Sequence, residues 1–532
     1  MDCTTSYLPY ETTGYFSKIV SDYLTQSDLL RIFYEFAPTL DGVKKAIAAR
    51  KNVKTDRVLL VNTLKAQYEG IAVSLKVKAN IELLLQDNVY TITTAHQPNI
   101  FTGPLYFIYK IMHAVKLAEE LSSSISDAKF VPVYYMGSED ADIDELGFIN
   151  VGTEKLQWET NQTGAVGRMK VDKQFIQIIH SIEGQIGVLP FGNSLVKLFK
   201  SSYTLGKTIQ QATLELVNHL FADYGVVVII PDCAALKASF IPIIEKELKE
   251  QFSHSIVTKT ANDLSVNYKV QAAGRSLNLF YLINDKRERI ELINGEFHVQ
   301  VLALVFSEAE ILSELNTNPE RFSPNVILRG VFQETILPNI AFIGGGGELA
   351  YWLELKSVFN SISVPYPVLI LRNSFLFISK EQQEKLNKLG IKKENLFFKT
   401  QHLIDDKVKA ISENKIDLAK EIEETVALYN RVELLVDKID GSLVDHVQSL
   451  KTKAVKKLSG VEKKMLRAEK EKFTSISNQI TQLKLSLFPN ESLQERHDNM
   501  SILYSKYGSE LLNTIYKSSQ GLNQHFGIIS ID

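Results

Sequence analysis

Five short apolar or β-branched runs, at residues 90–94, 130–135, 226–230, 340–343 and 368–371, constrain this chain more than anything else in it. Most of them run into a turn bearing Gly or Pro, and helical patterns lie between them. Strands this short, apolar on both faces and separated by helices, predict a mainly parallel, doubly wound α/β sheet, because crossover helices bury both faces of such a sheet. Two regions interrupt the alternation. Residues 147–215 read as one insertion, rich in Gln, Gly and Lys and without a strong period over 147–200. Residues 265–305 read as a second, a small antiparallel addition with turns at Asn284-Asp285 and Asn294-Gly295. The first 85 residues read as mainly helical, so the core with its insertions is expected to span 1–380.

From 381 the strands stop. Val432, Val436, Ile439, Leu443, Val447, Leu450, Ala454, Leu458, Val461, Met465 and Ala468 recur at steps of three and four. The mean step of about 3.6 residues predicts one long helix with a narrow apolar stripe. The helix continues less regularly through Ile476, Ile480, Leu483 and Leu487 to Pro489-Asn490. Such a stripe between charged flanks cannot bury itself alone, so 381–500 is expected to form an α-helical coiled-coil arm. A second helix, from Leu493 to about Ser518, returns antiparallel and leaves 501–532 as a terminal helix and tail on the core.

The net charge of -3 gives no reason to expect nucleic acid or an anionic membrane as partner. Basic residues gather over 451–472, but Glu462, Glu469 and Glu471 are interspersed, as on a solvated helix face. Two cysteines, Cys3 and Cys233, exclude a disulfide scaffold and a multi-cysteine zinc site. With no apolar run of about 18 residues and no charged-then-apolar leader, a cytoplasmic soluble protein is expected.

Three strand-to-turn stretches carry chemistry. In the first, Ala95 to Phe101 separates a strand from a helix that Thr102-Gly103-Pro104 is suited to start. Ligands bind at the carboxyl ends of strands in open α/β sheets, which makes His96, Gln97, Asn99, Thr102 and Gly103 candidates. Tyr106, Lys110 and His113 follow at steps of four and three on one helix face. The second stretch places Glu139, Asp140, Asp142, Asp144 and Glu145 after a strand. It lacks the sixth-position Gly and twelfth-position Glu of a calcium loop, so no metal site is read there. Glu139 and Asp140 remain candidates for general-base work or for binding an amine or Mg²⁺. The third stretch is Gly344, Gly345, Gly346, Gly347 and Glu348, with Tyr351 and Trp352 on the helix that follows. Gly345-x-Gly347-x-x-Ala350 meets a permissive dinucleotide fingerprint, but Glu348 at the helix start repels a phosphate and suits an ammonium or a sugar hydroxyl. A run of glycines costs chain entropy, and close approach to a ligand is a reason to carry it. Further candidates are Arg275 and Asn278 near Gln271 before a strand, Gln333 and Glu334 in a loop, and Arg372 at a strand end.

Assembled in order, these motifs resemble the BshC family of bacillithiol biosynthesis, in a divergent branch. The resemblance covers Gln97-Pro-Asn-Ile-Phe-Thr-Gly-Pro-Leu-Tyr106, Glu139-Asp-Ala-Asp-Ile-Asp-Glu145, Leu279-Phe-Tyr-Leu282 with Lys286-Arg-Glu-Arg-Ile290, Gly344-Gly-Gly-Gly-Glu-Leu-Ala-Tyr-Trp352, Leu493-Gln-Glu-Arg496 and Lys506-Tyr-Gly508. The chain departs from the family pattern at Ala95, His96 and Asn99, at Ala141 where the family usually has His, and at Gly346 where it usually has Pro. The resemblance implies a Rossmann-like core with connecting insertions, a coiled-coil arm that forms a homodimer, and a nucleotide-binding capacity. It also implies a ligase that joins cysteine to the amine of glucosaminyl-malate as an amide. ATP or ADP is then the expected cofactor, with Mg²⁺ accompanying it. In that reaction His96, Glu139 and Asp140 would be catalytic, and the turn from His96 to Gly103 would hold the reacting carboxyl or nucleotide. Glu139, Asp140 and Glu348 would receive amines or hydroxyls, and Lys110, Arg275 or Arg372 the malate carboxylates. The competing expectation is a non-catalytic dimeric nucleotide-binding module that recruits a partner through its coiled coil.

Overall fold

The computed structural model describes residues 3–272, 274–414 and 416–531. Its contacts divide the chain into two compact units, one made of residues 1–377 and 492–532 and the other of 378–491.

The first unit is built on a five-stranded parallel sheet. Its strands are β1 (Val89–His96), β2 (Lys129–Met136), β3 (Val227–Ile229), β4 (Asn339–Gly344) and β5 (Val368–Leu371), in the spatial order β5-β4-β1-β2-β3. The chain steps outward from β1 to β3, then returns past β1 to add β4 and β5. The order therefore reverses between β1 and β4, and the crevice at their carboxyl ends is the topological switch point. Both faces are covered, and core side chains such as Ile92, Ile343 and Ile370 are buried, which is why the strands read as unbroken apolar runs. Thr94 Oγ1 donates to the Ile343 carbonyl at 2.9 Å and ties β1 to β4 beside the switch point.

The insertion after β2 is more ordered than its composition suggested. An antiparallel pair, Phe148–Val151 with Glu154–Gln157, precedes the helices Lys173–Ile186, Gly192–Ser202 and Ile209–Phe221. Phe175, Ile178, Ile179, Ile182 and Ile186 are the buried face of the first of these helices, a helical period that the intervening Gln and Lys masked. The antiparallel addition is also longer than 265–305. Leu279–Ile283 pairs with Lys286–Arg289 and with Phe322–Pro324, and Glu291–Ile293, Glu296–Val299 and Leu304–Phe306 form a further sheet. Both expected turns are present, with positive φ at Asn284, Asn294 and Gly295. The helical amino-terminal region contains one strand that polar Thr and Ser disguised. Cys3–Leu8 pairs antiparallel with Phe526–Ile531, which in turn neighbours Ser374–Ile378.

In the second unit the long helix expected from Val432 onward is two helices. Ala419–Asp437 and Leu443–Lys472 run antiparallel, with Lys451 Nζ 3.2 Å from Glu433 and Gln448 bonded to the same carboxylate at 2.9 Å. The break falls at residues 438–442, where Asp440 accepts the Ser442 N–H and Gly441 relaxes the turn. The stripe thus has an intramolecular partner. After Phe473, Thr474–Leu487 completes the unit's carboxyl-terminal side. Residues 494–499 lie in the first unit, and the expected single helix from Leu493 is three: Gln494–His497, Ser501–Tyr507 and Ser509–Ser518, the last two separated by Gly508 at φ 61°. None of the described helices is long and apolar enough to cross a membrane.

Candidate functional site

A cavity of about 330 Å³ lies at the switch point. One wall is Ala95, His96 and Gln97 at the end of β1, together with Tyr106 and Lys110 on the helix Tyr106–Ser124. The facing wall is the glycine turn, Gly345 to Gly347, with Glu348 and Tyr351 on the helix Gly346–Trp352. Asp140 and Glu145, after β2, approach from one side, and Arg329, Arg372 and Arg496 bring three guanidinium groups to the lining.

The β1 turn divides into two halves with different duties. Tyr134 donates to the carbonyls of His96 (3.0 Å) and Gln97 (3.3 Å), so the opening half is held from behind and its side chains are free to face the cavity. The His96 imidazole packs edge-on to Tyr106, and its Nε2 is buried without a hydrogen-bond partner among the described residues. Burial first, then the charges of Lys110 and Arg372, hold this imidazole well below its ordinary range, so it is neutral. The other half is an anchor. Phe101 and Thr102 take positive φ, and Phe101 inserts among Phe175, Phe199 and Tyr203. Asn499 donates to the carbonyls of Phe101 (2.9 Å) and Gly103 (2.6 Å). Asn99, Thr102 and Gly103 therefore shape the turn and lie outside the cavity lining. The helix begins at Tyr106 with Leu105 as its cap, later than Thr102-Gly103-Pro104 suggested, because those residues complete the anchor.

Lys110 and Glu348 neutralise one another at 2.5 Å across the cavity. Lys110 also donates to the Ala95 carbonyl at 2.8 Å, and Glu348 accepts the Gly345 N–H at 2.7 Å. Burial pushes the Lys110 ammonium down, while Glu348 works against that. Glu348 is thus committed to the chain rather than awaiting an amine. Arg372, buried, is likewise held by Glu495 at 2.7 Å and Ser374 at 2.9 Å, with its guanidinium over the Tyr106 ring. Burial pushes the Tyr106 phenol up to about 12, so it stays protonated.

Asp140 is held more loosely. Gln97 Nε2 donates to it at 3.2 Å and Arg329 stands 3.6 Å away. Burial pushes its carboxyl up, but Arg329, Arg287 and Gln97 outweigh this and hold it below the usual carboxylate range. Glu145 goes the other way, raised by burial and by the neighbouring charges of Asp142 and Asp140.

Other residues singled out in the sequence lie away from the cavity. Glu139 forms a buried ion pair with Lys237. Asp142 caps the short helix Ile143–Leu146. Asn278 is buried and bonds Ser253 and Asn325; Asn325 caps the helix Val326–Ile336, so Asn278 supports the element that carries Arg329. Arg275, exposed, offers its backbone N–H to Asn278. Gln333 and Glu334 belong to that same helix rather than a loop and bond to each other, with Glu334 also accepting from Asn339. Gly344 ends β4, and Trp352 stacks on Phe342 and Phe359 in the core. His113 is pinned between the Gly521 carbonyl and the Asn373 N–H. Arg329, Glu145 and Arg496 were not picked out as cavity residues. Glu145 and Arg496 stand inside motifs of the family resemblance, whereas Arg329 sits in an otherwise apolar stretch of helix with no local signal.

Among the described residues no group of three or more His, Cys, Asp or Glu side chains is arranged to hold a metal ion. The cavity therefore combines a neutral proton acceptor, an ionised carboxylate and several guanidinium donors, a set suited to an anionic substrate and a proton transfer.

Comparison with known proteins places this chain in a family. Residues 1–373 match the model described as Bacillithiol biosynthesis BshC, N-terminal Rossmann-like domain, and residues 375–531 match that of the C-terminal coiled-coil domain. A relative from Flavobacterium johnsoniae, named "Putative cysteine ligase BshC", is 40% identical over 531 residues, covering 99% of this chain and 100% of its own. Relatives of the same name from Flavobacterium psychrophilum and Christiangramia forsetii are 40% and 37% identical, each over 99% of both chains. With family models matching almost the whole chain and relatives aligned from end to end, this chain belongs to the BshC family of bacillithiol biosynthesis.

Proposed function

We propose that this chain is a cytoplasmic cysteine ligase that completes bacillithiol by joining the carboxyl group of L-cysteine to the amine of glucosaminyl-malate. The observation that carries the reading is the switch-point cavity, where His96 Nε2, without a partner among the described residues, shares a small polar space with Asp140 and three arginines. A volume of about 330 Å³ is at the small end of ligand pockets, enough for a sugar-sized polar metabolite. Arg329 and Arg496 are the cations best placed to receive malate carboxylates, since Arg372 already holds Glu495. Asp140 attracts the substrate ammonium. The ammonium gives one proton to solvent, the lone pair of the neutral amine attacks the cysteine carboxyl carbon, a C–N bond forms, the C–O bond to the leaving group breaks, and the second proton passes from the nitrogen to His96 Nε2.

A free carboxylate is a poor acceptor for an amine in water, and ATP with Mg²⁺ would supply the leaving group. The residues fit an anionic nucleotide end. A Cβ at Gly347 would meet nothing within 4 Å among the described residues, so the turn is open at that position, and Lys110 neutralises Glu348, the acid that would repel a phosphate. A homodimer through the helical unit is part of the proposal. Leu434, Leu435 and Ile439 are exposed on its hairpin, an apolar surface that a second copy would cover.

The test is mass spectrometry of low-molecular-weight thiols in cells with and without the gene, followed by the purified protein given cysteine, glucosaminyl-malate and ATP. Loss of bacillithiol with build-up of glucosaminyl-malate is expected. Normal bacillithiol after deletion, with no second copy of the gene, overturns the ligase reading.

A further inference from the structure

At the opposite edge of the sheet lies a second, larger recess of about 930 Å³ that the ligase reading does not use. Tyr90 near the start of β1 and Pro338 just before β4 are in its lining. His96 is six positions on from Tyr90, so this recess and the switch-point cavity stand about 20 Å apart along the strand. Arg50, Lys51, Lys54 and Arg57 bring four cations to it, against the carboxylates of Asp56 and Asp87. Asp56 is engaged as a cap, accepting the Leu59 N–H at 2.9 Å. Asp87 is exposed, 3.8 Å from the Arg57 guanidinium.

The side chain that decides the reading is Arg50. It is 3% exposed, and its Nη2 donates to the carbonyls of Glu334 (2.6 Å) and Leu337. Its Nε and Nη1, and the hydroxyl of Tyr90, are buried with no hydrogen-bond partner among the described residues. Burial pushes the guanidinium down to about 10, yet it remains a cation at neutral pH. Buried donors in a folded protein are nearly always satisfied, and two nitrogens of one guanidinium and a phenol, all without a partner among the described residues and on two side chains that line one recess, are groups that an oxyanion would complete. Arg57, half-buried, is partly spent on the Leu84 carbonyl at 2.9 Å, whereas Lys51 and Lys54 are exposed and add attraction at the rim.

We infer that this amino-edge recess is a second anion-binding site, taking a small metabolite that bears phosphate or carboxylate groups on Arg50, Arg57 and the Tyr90 hydroxyl. The site is distinct from the switch-point cavity. It touches the two strands that flank that cavity, at their other ends.

The experiment is calorimetric titration of the full-length protein with pyrophosphate and, separately, with L-malate, so that the two sources of the anion are told apart. Three proteins are compared: the unaltered chain, a Lys51→Glu/Lys54→Glu double variant whose exposed positions leave the fold intact, and an Arg329→Gln variant of the cavity. At least one probe is expected to bind with a component weakened tenfold or more by the double reversal and unchanged by Arg329→Gln. Hydrogen exchange is expected to slow at residues 50–58 and 85–90 when that probe is added. If neither probe binds at millimolar concentration, or if all binding is insensitive to the double reversal, or if Arg329→Gln abolishes it, the inference is overturned.

Discussion

Glu139 and Asp140 are adjacent in the chain and sit at the carboxyl end of the same strand, yet they do different work. Glu139 is buried against Lys237, which is also 3.2 Å from Asp232 and donates to the Glu320 carbonyl at 2.9 Å. Asp232 is clasped in turn by two nitrogens of Arg168, each at 2.6 Å. Burial pushes Asp232 up, but Arg168 and Lys237 prevail and hold it below the usual range. Asp140 accepts from the Gln97 amide at 3.2 Å and from the Asp142 N–H, stands 3.6 Å from the Arg329 guanidinium, and lines a cavity. One acid belongs to a closed network that joins the insertion to the sheet; the other keeps capacity for a ligand. A run of carboxylates is therefore not one signal, and what separates its members is how fully the protein itself completes their partners.

Breaking the closed network has the largest expected effect. Lys237→Met leaves Glu139 and Asp232 buried with less compensation, and removing one partner from such a pair costs about 3–5 kcal/mol. Urea unfolding measures this, and a loss near zero would place the network in solvent-like surroundings. His96→Gln tests the open side. Activity is expected to fall about 10²- to 10⁴-fold, the usual contribution of a general base, while stability at neutral pH changes little. A fall in stability with full activity would reverse the two roles.

The anchored half of the β1 turn gives an intermediate effect. Gly103 has φ 61°, and a Cβ there would come 2.7 Å from Asn99 Cβ. Gly103→Ala is expected to cost about 1–3 kcal/mol, read as a lower melting temperature. The smallest effect is a pH dependence. The His96 imidazole is held below its ordinary 6.5, so the unfolded chain takes up a proton before the folded one does. The stability this residue allows is whole above about 6.5 and is lost as pH falls below it. The unaltered protein should therefore lose stability more steeply below that pH than His96→Gln does. Parallel slopes in the two proteins would mean that His96 is solvated.

Much of this protein was legible in its sequence because the signals are local. Apolar runs of strand length, helical spacing between them, and polar or glycine-rich turns at their ends are set by residues a few positions apart, and they predicted the parallel sheet and the regions that meet at the cavity. His96, Gln97, Tyr106, Lys110, Asp140, Gly345 to Gly347, Glu348, Tyr351 and Arg372 all reach the cavity lining. What the tertiary structure alone decided is pairing across long separations. Arg372 meets Glu495, Glu139 meets Lys237, and Asn499 fastens the turn at Phe101 and Gly103, each across roughly a hundred residues or more. The same holds for Arg329, which the helix Val326–Ile336 delivers to Asp140, and for the apolar stripe of the second unit, which found its partner in its own chain. Composition and spacing say which groups are present and which way an element faces. Whether a charge is neutralised or left for a ligand depends on which distant element folds against it, and that is a property of the packed chain.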